Sequence, residues 1–161
     1  MAVEIERKFL LRDDSWQAEV YRSTTLRQGF LAAETARTVR VRDSDDGAQL
    51  TIKGRTEDAT RAEFEYPIPR EDAAWMLDNL CLQPLIEKTR HCLQHDAHTW
   101  EIDVFFGDNA GLVLAEIELN DAEESFTLPA WAGREVTDDP RYYNARLSAE
   151  PYASWPTADA G

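Results

Sequence analysis

Seven segments of the chain read as strands in which one to three ionisable side chains share a single face. In Val3-Glu4-Ile5-Glu6-Arg7-Lys8-Phe9 a period of two puts Glu4, Glu6 and Lys8 on one side and Val3, Ile5, Arg7 and Phe9 on the other. The same period pairs Arg40 with Arg42, sets Lys53 opposite Leu50 and Ile52, and pairs Glu63 with Glu65. It pairs Lys88 with Arg90, Glu101 with Asp103, and Glu116 with Glu118. Eight acids and six bases are collected in this way. The opposite faces are apolar and need covering by helices or a second layer.

A solvated sheet face mixes in Ser, Thr, Gln and Asn, whereas this face is nearly all ionisable at the strand centres. So many charges do not fit a dry core, because each unpaired buried ion costs several kcal/mol. If the sheet closes with its charged face inward, the lumen holds water, ions or a polyanionic ligand. Lysines and arginines there would bind phosphate oxygens, and carboxylates are hard ligands suited to Mg²⁺ or Mn²⁺. The alternation itself leaves a charged tunnel and a water-facing sheet both open.

Taken in order, the chain predicts about eight strands, with centres in 3–10, 24–31, 38–42, 49–54, 61–68, 85–93, 99–106 and 112–119. Hairpin-length turns such as Asp43-Ser44-Asp45-Asp46-Gly47 join most of them, so the pairing is antiparallel. Many consecutive strands favour a barrel or sandwich over a parallel sheet. Short helices are expected after Asp13-Asp14, over 121–126 and over 138–148, and a longer one over 70–81. Its apolar stripe is Ala73, Ala74, Leu77, Leu80 and Cys81, widened by Trp75 and Met76. Trp16, Trp75, Trp100 and Trp131 read as covering core.

A net charge of −14 argues against nucleic acid, whose phosphates require a basic footprint. It is compatible with a small anionic ligand held by a local cluster of bases, with metal ions as mediators between that ligand and nearby acids. No run of about 20 apolar residues spans a membrane. The N-terminus has no signal-peptide pattern, and Cys81 and Cys92 have no C-x-x-C spacing, so a cytoplasmic protein without disulfides is expected. His91, Cys92, His95 and His98 bracket a hairpin turn, and a polar turn accounts for them better than a zinc site.

Glu4-Ile5-Glu6-Arg7-Lys8 resembles the E-x-E-x-K of the CYTH domain, the triphosphate tunnel metalloenzymes. The likeness continues through Arg40-Val41-Arg42, Thr51-Ile52-Lys53, Glu63-Phe64-Glu65-Tyr66, Glu87-Lys88-Thr89-Arg90, Glu101-Ile102-Asp103-Val104-Phe105 and Ala115-Glu116-Ile117-Glu118-Leu119. It ends in Gly133-Arg134-Glu135-Val136-Thr137 and Arg141-Tyr142-Tyr143-Asn144. The resemblance implies an α+β fold: an eight-stranded antiparallel barrel with a charged interior, covered by a few helices. It implies a tunnel domain over residues 1–149 with a C-terminal tail over 150–161. The implied activity is hydrolysis of inorganic tripolyphosphate to diphosphate and phosphate by metal-activated water.

Under that resemblance Lys8, Arg40, Arg42, Lys53, Lys88 and Arg90 bind substrate. Glu4, Glu6, Glu63, Asp103, Glu116 and Glu118 hold Mg²⁺ or Mn²⁺, with Asp103 and Glu63 as ligands or as acceptors behind them, and Glu4, Glu6 and Lys53 are catalytic. The expected partner is a small polyanion, with neither nucleic acid nor membrane, and a homodimer is left open. Similar proteins commonly carry a tyrosine after Gln28-Gly29; here the residue is Phe30, so no role for that hydroxyl carries over. A class IV adenylyl cyclase, a thiamine or nucleoside triphosphatase, and a non-catalytic polyphosphate-binding module are the alternatives.

Overall fold

The computed structural model describes residues 2–156. Nine strands form one antiparallel sheet: β1 (Ala2–Leu11), β2 (Val20–Ala33), β3 (Arg37–Ser44), β4 (Gly47–Gly54), β5 (Thr60–Ile68), β6 (Ile86–His95), β7 (His98–Phe105), β8 (Val113–Glu118) and β9 (Ala132–Glu135). Around the sheet the order is β5-β4-β3-β2-β6-β7-β8-β1, and β1 pairs back onto β5, closing an eight-stranded barrel. Closure removes the free edges that an open sheet of this size exposes. β9 adds outside the ring, pairing with the end of β1 through Phe9 and Leu11. The sequence pattern misses this ninth strand, because Trp131, Gly133 and a four-residue length give no alternation to read.

Register fixes which face looks inward. Every charged face predicted from the alternation points into the barrel, and the apolar faces point out, most of them under two covering layers, while Val3, Ile52 and Tyr66 stay exposed. One layer is α1 (Arg70–Asn79), whose Ala73 and Leu77, with Cys81 beyond its end, pack on Val41 and Ala48. Gly29 allows this approach: a Cβ there would lie 2.7 Å from both Cys81 Cβ and Leu85 Cδ2. The other layer is a short 3-10 turn at Ser15–Glu19 together with residues 119–132, which cover Phe9, Trp100, Ile102 and Ile117. Trp16, Trp100 and Trp131 are buried there as expected. Trp75 and Leu80 are not: they are 60% and 55% exposed, on the side of α1 away from the barrel.

At one end the inward residues turn apolar. Leu10, Phe30, Ile86, Phe105 and Leu114 pack against Val136, Tyr142 and Leu147 of the C-terminal segment, which fills part of that end. The predicted helix over 138–148 is divided here. A 3-10 turn at Pro140–Tyr142 precedes α2 (Asn144–Ala149), with Tyr143 extended between them. Residues 121–126 form turns rather than the expected helix. Tyr152 and Trp155 of the expected tail pack on this plug, Trp155 edge-on to Tyr142. The remainder of the tail, 157–161, lies outside the described residues.

Candidate active site

The strand order sorts the charges. Lys53 (β4), Arg40 and Arg42 (β3), and Lys88 and Arg90 (β6) occupy one half of the ring, with Gln28 of β2 among them. Glu101 and Asp103 (β7), Glu116 and Glu118 (β8), Glu4 and Glu6 (β1), and Glu63 and Glu65 (β5) occupy the other. Lys8 of β1 and Arg61 of β5 are bases set among the acidic strands. A cavity of about 240 Å³ runs between the halves, and all of the predicted site residues line it except Lys8 and Asp103. Lys8 opens onto an adjoining cavity of about 330 Å³, which shares Glu6, Arg40, Lys53 and Asn144 with the first. The two form a continuous passage along the barrel.

Ion pairs stitch the halves at two seams. At the β6–β7 seam Lys88 Nζ donates to Asp103 Oδ2 at 2.7 Å, and Arg90 donates through Nε and Nη2 to both oxygens at 2.8 and 2.9 Å. Asp103 is fully buried, and although burial alone would raise its carboxyl, Arg90 and Lys88 hold it far below the usual carboxylate range. Its oxygens are thus already engaged by two cations. At the other seam Lys53 Nζ lies 2.5 Å from Glu4 Oε2 and 3.5 Å from Glu63.

The remaining acids are crowded. Glu6 stands directly across from Glu118, Lys8 from Glu116, and Glu101 from Glu116. Like charges placed opposite each other repel. Burial raises the Glu118 carboxyl, and Glu4, Glu6 and Glu101 raise it further. Burial raises Glu101 too, with Arg90 opposing and Glu116 adding to the rise. Lys8 lies 3.6 Å from Glu116 and 3.7 Å from Glu6; burial pushes its ammonium down, but Glu116, Glu6 and Glu4 outweigh it and the net shift is upward.

The basic half shows the opposite strain. Burial, then the neighbouring Arg42 and Arg90, push the Arg40 guanidinium down to about 9, and burial with Arg90 lowers Arg42. Lys88 is pushed down to about 8, chiefly by burial, despite Asp103. Arg40 donates to Thr51 Oγ1, while its enclosed Nε has no hydrogen-bond partner among the described residues. One half is therefore short of anions and the other short of cations.

Four uncharged residues, Asn144, Gln28, Phe30 and Tyr143, stand among these charges, and no charge pattern points to them. Asn144, at the start of α2, accepts from both Lys88 Nζ and Gln28 Nε2 at 3.0 Å through Oδ1. Gln28 Oε1 in turn accepts from Arg42 Nε at 3.4 Å. Phe30 is 3% exposed and lines the adjoining cavity together with Tyr143, whose hydroxyl donates to the Thr137 carbonyl at 3.3 Å. His91, His95 and His98 do not converge. His91 Nδ1 meets Ser23 Oγ at 2.7 Å, and His98 Nε2 meets Glu124 at 2.5 Å on the outer surface.

The donor set fits a hard divalent cation. Seven carboxylates line the cavity against five bases, Glu6 stands across from Glu118 and Glu101 from Glu116, and Lys8 and Arg90 are each shared between two of these acids. Among the described residues no three carboxylate, thiol or imidazole groups are gathered into a ready cage.

Comparison with known proteins agrees with this arrangement. The family model of the CYTH domain matches residues 2–144. The sequence is 43% identical to the inorganic triphosphatase of Acetivibrio thermocellus over 155 residues, 96% of this chain and 99% of that protein. It is 34% identical to the inorganic triphosphatase of Nitrosomonas europaea over 149 residues, 90% and 96% of the two chains. The fold superposes on the crystal structure of the inorganic triphosphatase NE1496 with a TM-score of 0.65 and 34% identity, covering 98% and 99% of the two chains.

Proposed function

The chain belongs to the CYTH domain family, and on that premise we propose that it is a metal-dependent hydrolase acting on inorganic triphosphate, releasing diphosphate and phosphate. The observation that carries the reading is the division of one closed lumen into a basic and an acidic half. The central cavity is lined by seven acids and five bases, an excess of two negative charges before any ligand enters. A polyanion alone meets net repulsion there. A polyanion with divalent cations satisfies both halves.

Arg40, Arg42, Lys53, Lys88 and Arg90 hold the phosphate oxygens on the basic side, the arginines through two N–H groups each. Lys8 reaches the same chain from the acidic side. Glu4, Glu6, Glu63, Glu116 and Glu118 are the candidate ligands for Mg²⁺ or Mn²⁺. When bound, the metal neutralises charge developing on the phosphates and makes a coordinated water more acidic. Asp103 serves the site by fixing Lys88 and Arg90 rather than as a ligand, since its oxygens are taken.

In the proposed step a water oxygen bonds to the terminal phosphorus as the bridging P–O bond breaks and diphosphate leaves with the bonding pair. Glu101 is suited to receive the water's proton, because its raised carboxyl is a better base than an ordinary carboxylate. Phe30 supplies no hydroxyl for that task. The reading is tested with the double variant Glu4→Gln/Glu6→Gln, assayed with tripolyphosphate, thiamine triphosphate and ATP in Mg²⁺ and in Mn²⁺. Phosphate release from tripolyphosphate is expected in the wild type and is lost in a variant that still folds. Full activity of that variant, or a wild type that binds tripolyphosphate without turnover in either metal, overturns it. Cyclic AMP formed from ATP would favour the cyclase alternative.

A further inference from the structure

The cavity adjoining the tunnel has a charge balance of its own. Lysines and arginines in its lining outnumber acids six to two, the acids being Glu6 and Glu34. Glu34 is already drawn outward to Arg37. Three of these cations, Arg55, Arg61 and Arg146, stand outside the central cavity; Arg61 continues the inward face of Glu63 and Glu65, while Arg55 and Arg146 lie off the strands. On a chain of net charge −14 this mouth is a local positive field, of the kind that draws anions inward. The opposite half of the passage, where Glu4, Glu63, Glu65, Glu101 and Glu118 gather, has no such surplus.

Arg61 is the best placed of the three. It lies on β5, two residues before Glu63, with its side chain in the wall where the vestibule meets the tunnel. Among the described residues its guanidinium makes one hydrogen bond, from Nη2 to Thr38 Oγ1 at 3.4 Å, and the enclosed Nε makes none. An arginine offers five N–H donors, and leaving most of them unmet in a half-buried wall is costly. Arg146 differs, since its guanidinium is 3.0 Å from Glu150. Arg55 is exposed on the loop beyond β4.

We propose that the vestibule is an anion subsite that receives the non-reacting end of the phosphate chain, and that Arg61 is a substrate-binding residue there. Arg55, at the rim, steers the chain inward. This rests on the triphosphatase reading for its substrate but makes a separate claim, about where the distal phosphates sit.

The test compares Arg61→Gln and Arg61→Lys with Arg27→Gln, which removes the same charge from the outer face of β2. With tripolyphosphate and Mg²⁺, Arg61→Gln is expected to raise KM about tenfold or more, the loss of one charge-assisted hydrogen-bonding partner, with kcat within about threefold. Arg61→Lys recovers part of that loss and Arg27→Gln leaves KM unchanged. In parallel, the melting temperature is followed with diphosphate and Mg²⁺, where nothing turns over. A ligand-induced rise is expected in the wild type and is largely lost in Arg61→Gln. An unchanged KM in Arg61→Gln overturns the proposal, as does a fall in kcat and melting temperature that Arg61→Lys does not repair. Absence of the rise in the wild type overturns it too. A wild type without activity that still shows the Arg61-dependent rise keeps the subsite and removes the triphosphatase reading.

Discussion

Glu6 and Glu118 face each other across neighbouring antiparallel strands, both carboxylates turned into the lumen, and the nearest ammonium, that of Lys8, is 3.7 Å from Glu6. Opposed like charges destabilise a strand pair by about 0.2–1 kcal/mol. Replacing Glu118 with Gln removes the repulsion and also removes a proposed metal ligand. The metal-free melting temperature is therefore expected to rise slightly, while the further rise produced by Mg²⁺ or Mn²⁺ shrinks and activity falls. Differential scanning calorimetry with and without metal reads both changes, and a metal-induced shift equal to wild type would remove Glu118 from the ligand set.

Asp103 neutralises two buried cations, so Asp103→Asn leaves Lys88 and Arg90 without their counter-charge. Breaking a buried ion pair from one side costs about 3–5 kcal/mol, and chemical denaturation should show a loss of that size. The sign with pH follows from a folded-state carboxyl held well below its ordinary 3.8. Its stabilisation is complete above the unfolded value and is lost as pH falls through the lower folded one. Wild-type stability should therefore drop steeply below about pH 4, and the variant should show a shallower acid limb.

Lys88, pushed down to about 8, carries its charge at neutral pH and loses it over the next units. Phosphate binding needs that charge. The kcat/KM profile, which reports the free enzyme, should fall as pH rises through about 8. Lys88→Arg keeps a cation at higher pH and should shift the fall upward, whatever its effect on the plateau.

Asn144 ties the plug to the basic half, accepting from Lys88 and Gln28 through a single oxygen. Asn144→Ala leaves both donors short of an acceptor, at a cost of about 1–3 kcal/mol. The expected result is a lower melting temperature together with weaker tripolyphosphate binding, because Lys88 and, through Gln28, Arg42 lose their fixed positions. Unchanged binding in a destabilised variant would confine Asn144 to a packing role.

Much of this lining is legible in the sequence, for a physical reason. A strand repeats every two residues, so the face of Glu4, Glu6 and Lys8, or of Glu116 and Glu118, is set once the strand is recognised. Periodicity does not say which strands are neighbours. The sorting of bases and acids into two halves thus emerges only with the order β4-β3-β2-β6 and β7-β8-β1-β5. Nor does it separate an acid consumed by a buried pair, Asp103, from acids left facing one another, Glu6 and Glu118. Gln28 and Asn144 carry no charge, and Arg61 sits at the start of its strand just ahead of the Glu63 and Glu65 pair, so the charge pattern contains none of them. Trp75 misled for a related reason: a stripe on a helix gives an apolar face but not how far the covered surface extends beneath it.

The pairing of β1 with β5 has a last consequence. A two-lobed enzyme admits and releases its ligands by swinging open, and its selectivity rests partly on that motion. Here, among the described residues, a belt of backbone hydrogen bonds girdles the chemistry, and a ligand approaches it along the barrel axis. The width of the bore and the charges at its rims then take over the gatekeeping that a moving lid performs elsewhere.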